Sequence, residues 1–247
     1  MRLAISALSK PGGREPNEDA FGWWSSPTGC FCLLCDGAGG HGGGEVASKL
    51  AVRVALSHFQ ATPVGTGPSI RAAIVAAHDA ILTAQSSDDA LAQMRSTAVV
   101  LAIDTANATA SWGHLGDSRL YCFRNGAIIS RTTDHSVVQR MVEAGYLTDQ
   151  DIRSAPERSQ LFAALGQQEN FAPAVADSPL ALRDGDVFLL CTDGFWAPVQ
   201  DRTMLDTLRD ATTAEAWLNM MERDVIAKGG RDQDNYSALA IWCGDAN

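Results

Sequence analysis

Two apolar runs in this chain, Leu33-Leu34-Cys35 and Leu189-Leu190-Cys191-Thr192, drive straight into an Asp-Gly pair, Asp36-Gly37 and Asp193-Gly194. A carboxylate at the end of a buried strand is costly unless something positive meets it. Two more acidic clusters, Asn17-Glu18-Asp19 and Asp232-Gln233-Asp234-Asn235, lie near predicted strand ends. Hard divalent cations take oxygen ligands, chiefly Asp, Glu, backbone carbonyls and water. Glu18, Asp36, Asp193 and Asp234 are therefore candidate ligands for magnesium or manganese. The glycine after Asp36 lets backbone approach closely, which adds the Gly37 carbonyl. Any one of these acids alone reads as a solvated turn residue or cap. Their recurrence after strongly apolar strands is what points to metal. No His/Cys set has convincing ligand spacing for zinc.

Two other motifs compete for attention. Gly37-Ala38-Gly39-Gly40-His41-Gly42 fits G-x-G-x-x-G between a predicted strand and a predicted helix, the setting of a dinucleotide-binding loop. Asp36 would repel the pyrophosphate, and about 20 residues on, where a ribose-binding acid belongs, stand His58, Phe59 and Gln60. No Gly-Lys-Ser/Thr follows to make a P-loop. Cys32 and Cys35 form C-x-x-C, but residues three apart on a strand face opposite ways. Buried small hydrophobes are favoured over a zinc or redox pair, and reduced thiols imply a cytoplasmic setting.

The elements that must position the acids follow from pattern. Strands are expected at 2–8, 18–24 and 30–35. The glycine-rich stretch then opens a helix with Val46, Leu50 and Val54 on its apolar stripe, widened by Ala47, Ala51 and Ala55. A second helix carries Ile70, Ile74, Ala77 and Ile81. Segments 97–103, 109–115, 118–123 and 127–131 read as an antiparallel meander, with Asn125-Gly126 as a hairpin turn. Asp134-His135-Ser136 starts a helix with Val137, Val138, Met141 and Val142 as the buried face and Gly145 as the stop. Residues 146–178 are more polar and irregular. A strand at 187–191, helices at 204–208 and 214–226 and a closing strand at 236–243 complete an α+β pattern, sheet packed on sheet with helices outside.

The 247 residues are 46% hydrophobic and 19% charged, which suits one domain spanning 1–247. The net charge of −10 disfavours nucleic acid and anionic membrane as partners. No apolar run is long enough for a membrane span, and the start turns polar too soon for a signal peptide. A cytoplasmic monomer is the expectation.

Six motifs then occur in order: Arg14-x-x-Asn17-Glu18-Asp19-Ala20, Asp36-Gly37-x-Gly39-Gly40-His41, Gly113-His114-Leu115-Gly116-Asp117-Ser118-Arg119-Leu120-Tyr121, Thr133-Asp134-His135-Ser136, Thr192-Asp193-Gly194-Phe195-Trp196 and Asp234-Asn235. Together they resemble the metal-dependent serine/threonine protein phosphatases of type 2C in their compact bacterial form, from about Ser9 to Trp242. The resemblance implies a four-layer α-β-β-α sandwich, two antiparallel sheets flanked by helix pairs, with a two-metal centre at one edge. It implies Asp36 as the carboxylate bridging two Mn2+ or Mg2+ ions, Asp193 and Asp234 as further ligands of one, and Glu18 with the Gly37 carbonyl as ligands of the other. Asp117 resembles a ligand of the third, weaker site of bacterial relatives, or else a hydrogen-bond acceptor. Asp19 resembles the residue that orients metal-bound water, and Asn235 an orienting neighbour. Arg14 resembles the guanidinium that holds the substrate phosphate; its bland alternative is an ion pair with Glu15 or Asp19.

The implied reaction is direct attack of a metal-activated hydroxide on a phosphoserine or phosphothreonine of a protein, opposing a serine/threonine kinase. Metals about 3.5–4 Å apart support such an in-line displacement. Cys35 and Cys191, inside strands, are not nucleophile candidates. Two departures stand out. Eukaryotic relatives carry a histidine where this chain has Ala38, so the proton donor to the leaving group is open; a metal-bound water could serve, and His41 reads as structural. Residues 146–178 resemble the family's mobile flap, but Phe162-Ala163 replace the usual Thr-Arg before Ala164-Leu165-Gly166, and Arg153 and Arg158 remain as phosphopeptide contacts. A non-catalytic phosphoprotein-binding adaptor of the same fold is the alternative; a dinucleotide-dependent oxidoreductase is disfavoured.

Overall fold

The computed structural model describes residues 1–39 and 43–244. Its strands are β1 (Arg2–Lys10), β2 (Asp19–Ser25), β3 (Gly29–Ala38), β4 (Arg95–Ser96), β5 (Ala98–Asp104), β6 (Thr109–Leu115), β7 (Arg119–Arg124), β8 (Ala127–Arg131), β9 (Ala174–Val175), β10 (Leu180–Ala181), β11 (Val187–Cys191) and β12 (Tyr236–Gly244). The helices are α1 (Gly43–Ala61), α2 (Gly67–Ser87), α3 (Val137–Glu143), α4 (Asp193–Trp196), α5 (Asp201–Asp210) and α6 (Ala214–Lys228).

One sheet runs β1-β12-β11-β7-β8; the other runs β10-β6-β5-β3-β2, with β4 on β3 and β9 on β6. Every described pairing is antiparallel. Strand alternation explains why β3 and β11 are apolar throughout. Cys30, Cys32 and Leu34 of β3 meet Phe188 and Leu190 of β11 between the sheets. Phe31, Leu33 and Cys35 face outward under α1 and α2, while Leu189 and Cys191 face α6 through Trp217, Leu218 and Met221. The result is four layers, helix pair on sheet on sheet on helix pair, as the sequence reading expected. Cys32 and Cys35 diverge to opposite faces of β3, and all six cysteines are free and buried.

Local signals place several boundaries. Asn125 and Gly126 both take positive φ, 52° and 73°, which suits the tight β7–β8 turn. Ser136 caps α3 by accepting a hydrogen bond from the Gln139 amide at 3.2 Å, and Gly145 follows the helix end at φ 79°.

Two expectations about faces need correcting. The buried side of α1 is Ala47, Ala51, Val52, Ala55 and Phe59, whereas Val46 is 41% exposed. Close packing of α1 on β3 and α2 favours the small side chains and turns Val46 out. In α3 the buried pair is Val138 and Gln139, and Met141 faces solvent. The short strands β4, β9 and β10 and the one-turn helix α4 had no clear sequence signal.

All the acid-bearing segments end at one edge. Asp19 opens β2 directly across from Asp36 near the end of β3. Cys191, the last residue of β11, pairs with Arg119 at the start of β7 and with Ala238 near the start of β12. Residues 146–178 border this edge, tied down by bridges Ser96–Leu165 and Ser136–Leu161 and by β9 on β6.

Candidate active site

A cavity of about 400 Å³ opens at that edge, lined by Arg14, Glu18, Asp36, Gly37, Asp117, Asp193, Asp234 and Asn235 among others. Seven of the eight predicted site residues thus share one wall-to-wall space. The eighth, Asp19, sits just behind, across the β2–β3 ladder from Asp36. His41 lies outside the described residues. Among those described, no histidine lines the cavity. His114 and His135, which stack on one another at 4.7 Å, lie outside its lining; burial pushes His135 down to about 4 and lowers His114 as well.

Backbone and hydroxyl contacts fix the acids. The Asp36 amide donates to Thr97 Oγ1 at 2.9 Å, and its carbonyl accepts from the Thr97 amide and from Ser96 Oγ. Thr97 is held in turn by Ser118, with 2.7 Å between the hydroxyls. Asn235 Oδ1 accepts from the Glu18 amide at 2.9 Å, while its Nδ2 donates to the Pro11 carbonyl, so Asn235 joins the first and last segments around Glu18. The Gly37 amide donates to the Glu18 carbonyl at 3.1 Å. Gly44 must lack a side chain, because a Cβ there would lie 2.7 Å from the Glu18 carboxylate.

Beneath the cavity runs a support that sequence reasoning passed over. Arg119 makes a two-pronged ion pair with Asp134, at 2.8 and 2.7 Å, with both side chains 2% exposed. Its guanidinium lies 3.4 Å from the ring centre of Trp196. Trp196 Nε1 donates to the Asp117 carbonyl at 2.9 Å. Since Trp196 closes the helix that Asp193 begins, this chain of contacts fixes Asp117 relative to Asp193. The signal was available: an arginine inside an apolar strand needs a buried acid to meet it.

The electrostatics are those of acids crowded without enough positive charge. Burial, then the charges of Asp19, Asp193, Asp117 and Asp234, push the Asp36 carboxyl well above the usual carboxylate range. Asp117 rises for the same reasons, burial first and then Asp193. Burial raises Asp234, and Asp193 adds to it, while Arg14 partly offsets both. Asp19 is pushed up to about 7 by burial, despite help from the Ser237 and Thr192 hydroxyls. Thr192 Oγ1 donates to Asp19 Oδ2 at 3.1 Å, but the buried Oδ1 has no hydrogen-bond partner.

Two acids are held by basic groups. Arg14 pairs with Asp234 at 2.5 Å rather than with Glu15 or Asp19. Arg158 and Ser159, from the bordering segment, reach Asp193 Oδ2 at 3.5 and 3.2 Å. Among the described residues no three His, Cys, Asp or Glu side chains close into a ready-made ligand cluster. The acids ring the cavity instead, with Asp193 and Asp234 turned toward these neighbours. Hard oxygen donors, mutual repulsion and an orphaned carboxylate oxygen all fit a group carrying divalent positive charge.

The family model described as protein phosphatase 2C matches residues 11–228. The chain belongs to the protein phosphatase 2C family. It is 34% identical over 211 residues to the serine/threonine protein phosphatase PstP of Mycobacterium tuberculosis, a match covering 83% of this chain and 39% of that protein. The chain therefore spans well under half of that longer relative. It is 29% identical over 197 residues to the protein phosphatase PhpP of Streptococcus pneumoniae, covering 78% of each. A crystal structure of the PstP catalytic domain in complex with two manganese ions superposes with a TM-score of 0.81 at 31% identity, over 98% of this chain and 99% of that one. A second PstP crystal structure gives a TM-score of 0.85 at 29% identity. The type 2C fold expected from the six motifs is the fold observed. No described helix is long and apolar enough to cross a membrane.

Proposed function

We propose that this chain is a metal-dependent phosphatase acting on phosphoserine and phosphothreonine in proteins, and so reverses the work of a serine/threonine kinase. The observation that carries the reading is the convergence of carboxylates from five separate chain segments on one cavity with a guanidinium at its rim. Glu18, Asp36, the Gly37 carbonyl, Asp193 and Asp234 would hold two Mn2+ or Mg2+ ions, with Asp117 available to a third. When bound, such ions supply Lewis acidity toward the phosphoryl oxygens and toward water.

The chain's own residues have distinct tasks. Asp36, near the β3 end and facing four other acids, would be the ligand shared between the ions. Arg14 is more than half exposed and can leave Asp234 to grip a phosphate through two parallel hydrogen bonds. Asp19 Oδ1 is an unused acceptor on a carboxyl that titrates near neutrality, suited to orienting a water and holding its proton. Ser159, Leu161, Ala164 and Gln167, from the 146–178 segment that we read as the flap, wall one side and limit solvent. Ala38 offers no proton, and a water would supply the leaving alkoxide instead.

The test is hydrolysis of p-nitrophenyl phosphate and of a phosphothreonine peptide by the purified protein with manganese. Turnover abolished by EDTA, and by Asp36→Asn in a folded variant, is expected. Tight phosphopeptide binding without turnover would instead establish the adaptor reading.

A further inference from the structure

Beside the carboxylate cavity, and sharing Arg14, Ser159 and Asp234 with it, lies a second cavity of about 530 Å³. Its walls carry Arg14, Arg153, Arg158, Lys228 and Arg231 against only two acids, Asp232 and Asp234. Five of the chain's 19 Lys and Arg gather here on a molecule of net charge −10, so the field reverses sign locally.

Not all five cations are equivalent. Arg153 is occupied by the carbonyls of Trp196 and Val199 and by Asp201. Lys228 is held by the Pro198 carbonyl and Asp224. These two shape the wall and contribute field. Arg231 is exposed and has no ion-pair or hydrogen-bond partner for its side chain among the described residues. It is nonetheless placed firmly. The Gly13 amide donates to the Gln233 carbonyl at 2.8 Å, and Gly13 packs so closely on the Arg231 carbonyl that a side chain there would collide with it. The loop bearing Arg14 and the loop bearing Arg231 are thus one unit.

Arg14 and Arg158 complete the picture. Arg14 lines both cavities, Arg158 lines the second and reaches into the first, and both rest on acids proposed as metal ligands, Asp234 and Asp193. Arg158 Nε is buried with no hydrogen-bond partner. A carboxylate committed to a divalent ion loses most of its hold on a guanidinium. Metal loading would therefore release two arginines next to Arg231.

We propose that Arg231, Arg158 and the adjoining cavity form a second anion subsite that takes a phosphate flanking the one being hydrolysed, so that doubly phosphorylated segments are preferred substrates, and that metal binding arms it. This rests on the phosphatase reading of the neighbouring cavity. The ligand chemistry follows from the wall: planar guanidiniums bind tetrahedral oxyanions bidentately, more strongly than they bind a single carboxylate charge.

The test is equilibrium binding, by fluorescence anisotropy, of labelled peptides carrying a non-hydrolysable phosphonate at the central position. One series has neutral flanks, a second adds a phosphonate at each of about four positions on either side, and a third puts glutamate there. In manganese, the best doubly charged peptide is expected to bind about tenfold tighter than the singly charged one. Glutamate should retain only part of that advantage. Arg231→Ala should cut the ratio below about threefold and Arg231→Lys restore part of it, with thermal melts confirming that both variants fold. EDTA should likewise shrink the ratio, because Arg14 and Arg158 return to Asp234 and Asp193. A ratio near one in the native protein, or an unchanged ratio in Arg231→Ala, overturns the subsite. Full retention by glutamate overturns its assignment to phosphate, and an undiminished ratio in EDTA overturns the arming by metal. Failure of the singly charged peptide to bind in manganese would instead count against the phosphatase reading itself.

Discussion

The two ends of strand β3 are built on opposite terms. At its start, Cys30 and Cys32 lie side by side between the sheets, their sulfurs 3.8 Å apart, packed among leucines and isoleucines. Near its finish, four residues beyond Cys32, Asp36 faces acids from four other segments, and burial works against every charge. The first end gains stability from what surrounds it. The second is strained by it, and stays open because fixed backbone contacts from Thr97, Ser96 and Asn235 hold the acids where they repel. A strand can serve as a rigid rod only because one end is packed well enough to carry a conflict at the other.

The comparison can be broken in several ways. The largest effect belongs to Asp36→Asn. Turnover of p-nitrophenyl phosphate should fall about 1000-fold, equivalent to about 4 kcal/mol, while the metal-free melting temperature rises because a repelling charge is gone. Loss of activity together with loss of fold would contradict the strained-end reading. Next, Arg119→Ala should destabilise the protein by about 3–5 kcal/mol in urea titrations, since it strands the Asp134 charge in the interior. Adding Asp134→Asn should recover part of that loss.

A smaller effect is expected from pH. Asp19 binds its proton more tightly folded, near 7, than unfolded, near 3.9. The folded state then holds more protons than the unfolded one across that window, so metal-free stability should fall as pH rises from about 4 to about 7. Asp36, Asp117 and Asp234 shift in the same direction and reinforce the slope. Saturating manganese should flatten it, because ions favour the deprotonated acids. A metal-free melting temperature that climbs from pH 5 to pH 8 would refute this. The smallest effect is at the far end. Cys32→Ala should lower stability by about 1 kcal/mol and leave turnover at saturating manganese unaltered. A changed metal affinity would mean the two ends are not independent.

How much of this was readable beforehand depends on whether a residue's surroundings are local. The strand ends carrying Asp36 and Asp193, the divergence of Cys32 and Cys35, and the Asn125-Gly126 turn follow from alternation and turn chemistry within a few residues. On α1 the alanines Ala47, Ala51 and Ala55 are buried as the pattern expects, but hydrophobicity alone also favours Val46, which the close approach of α1 to β3 turns out toward solvent. The partner of Arg14 was out of reach, since Asp234 lies 220 residues away and is brought near only by pairing of the first and last strands. The role of Arg119 depends likewise on Asp134 and Trp196, which no spacing rule joins to it.

That pairing has a consequence for synthesis. Strand β1 is made well before β12 and bonds along its whole length to it, from Arg2 opposite Gly244 to Lys10 opposite Tyr236. Until β12 emerges, β1 has no neighbour in its sheet, and neither Asp234 nor Asn235 is available to Arg14 and Glu18. Contacts that span the whole sequence are the slowest to close. A growing chain on the ribosome therefore carries an incomplete cavity and an uncovered strand until β12 has been made, and the acids gather only when β12 zips onto β1.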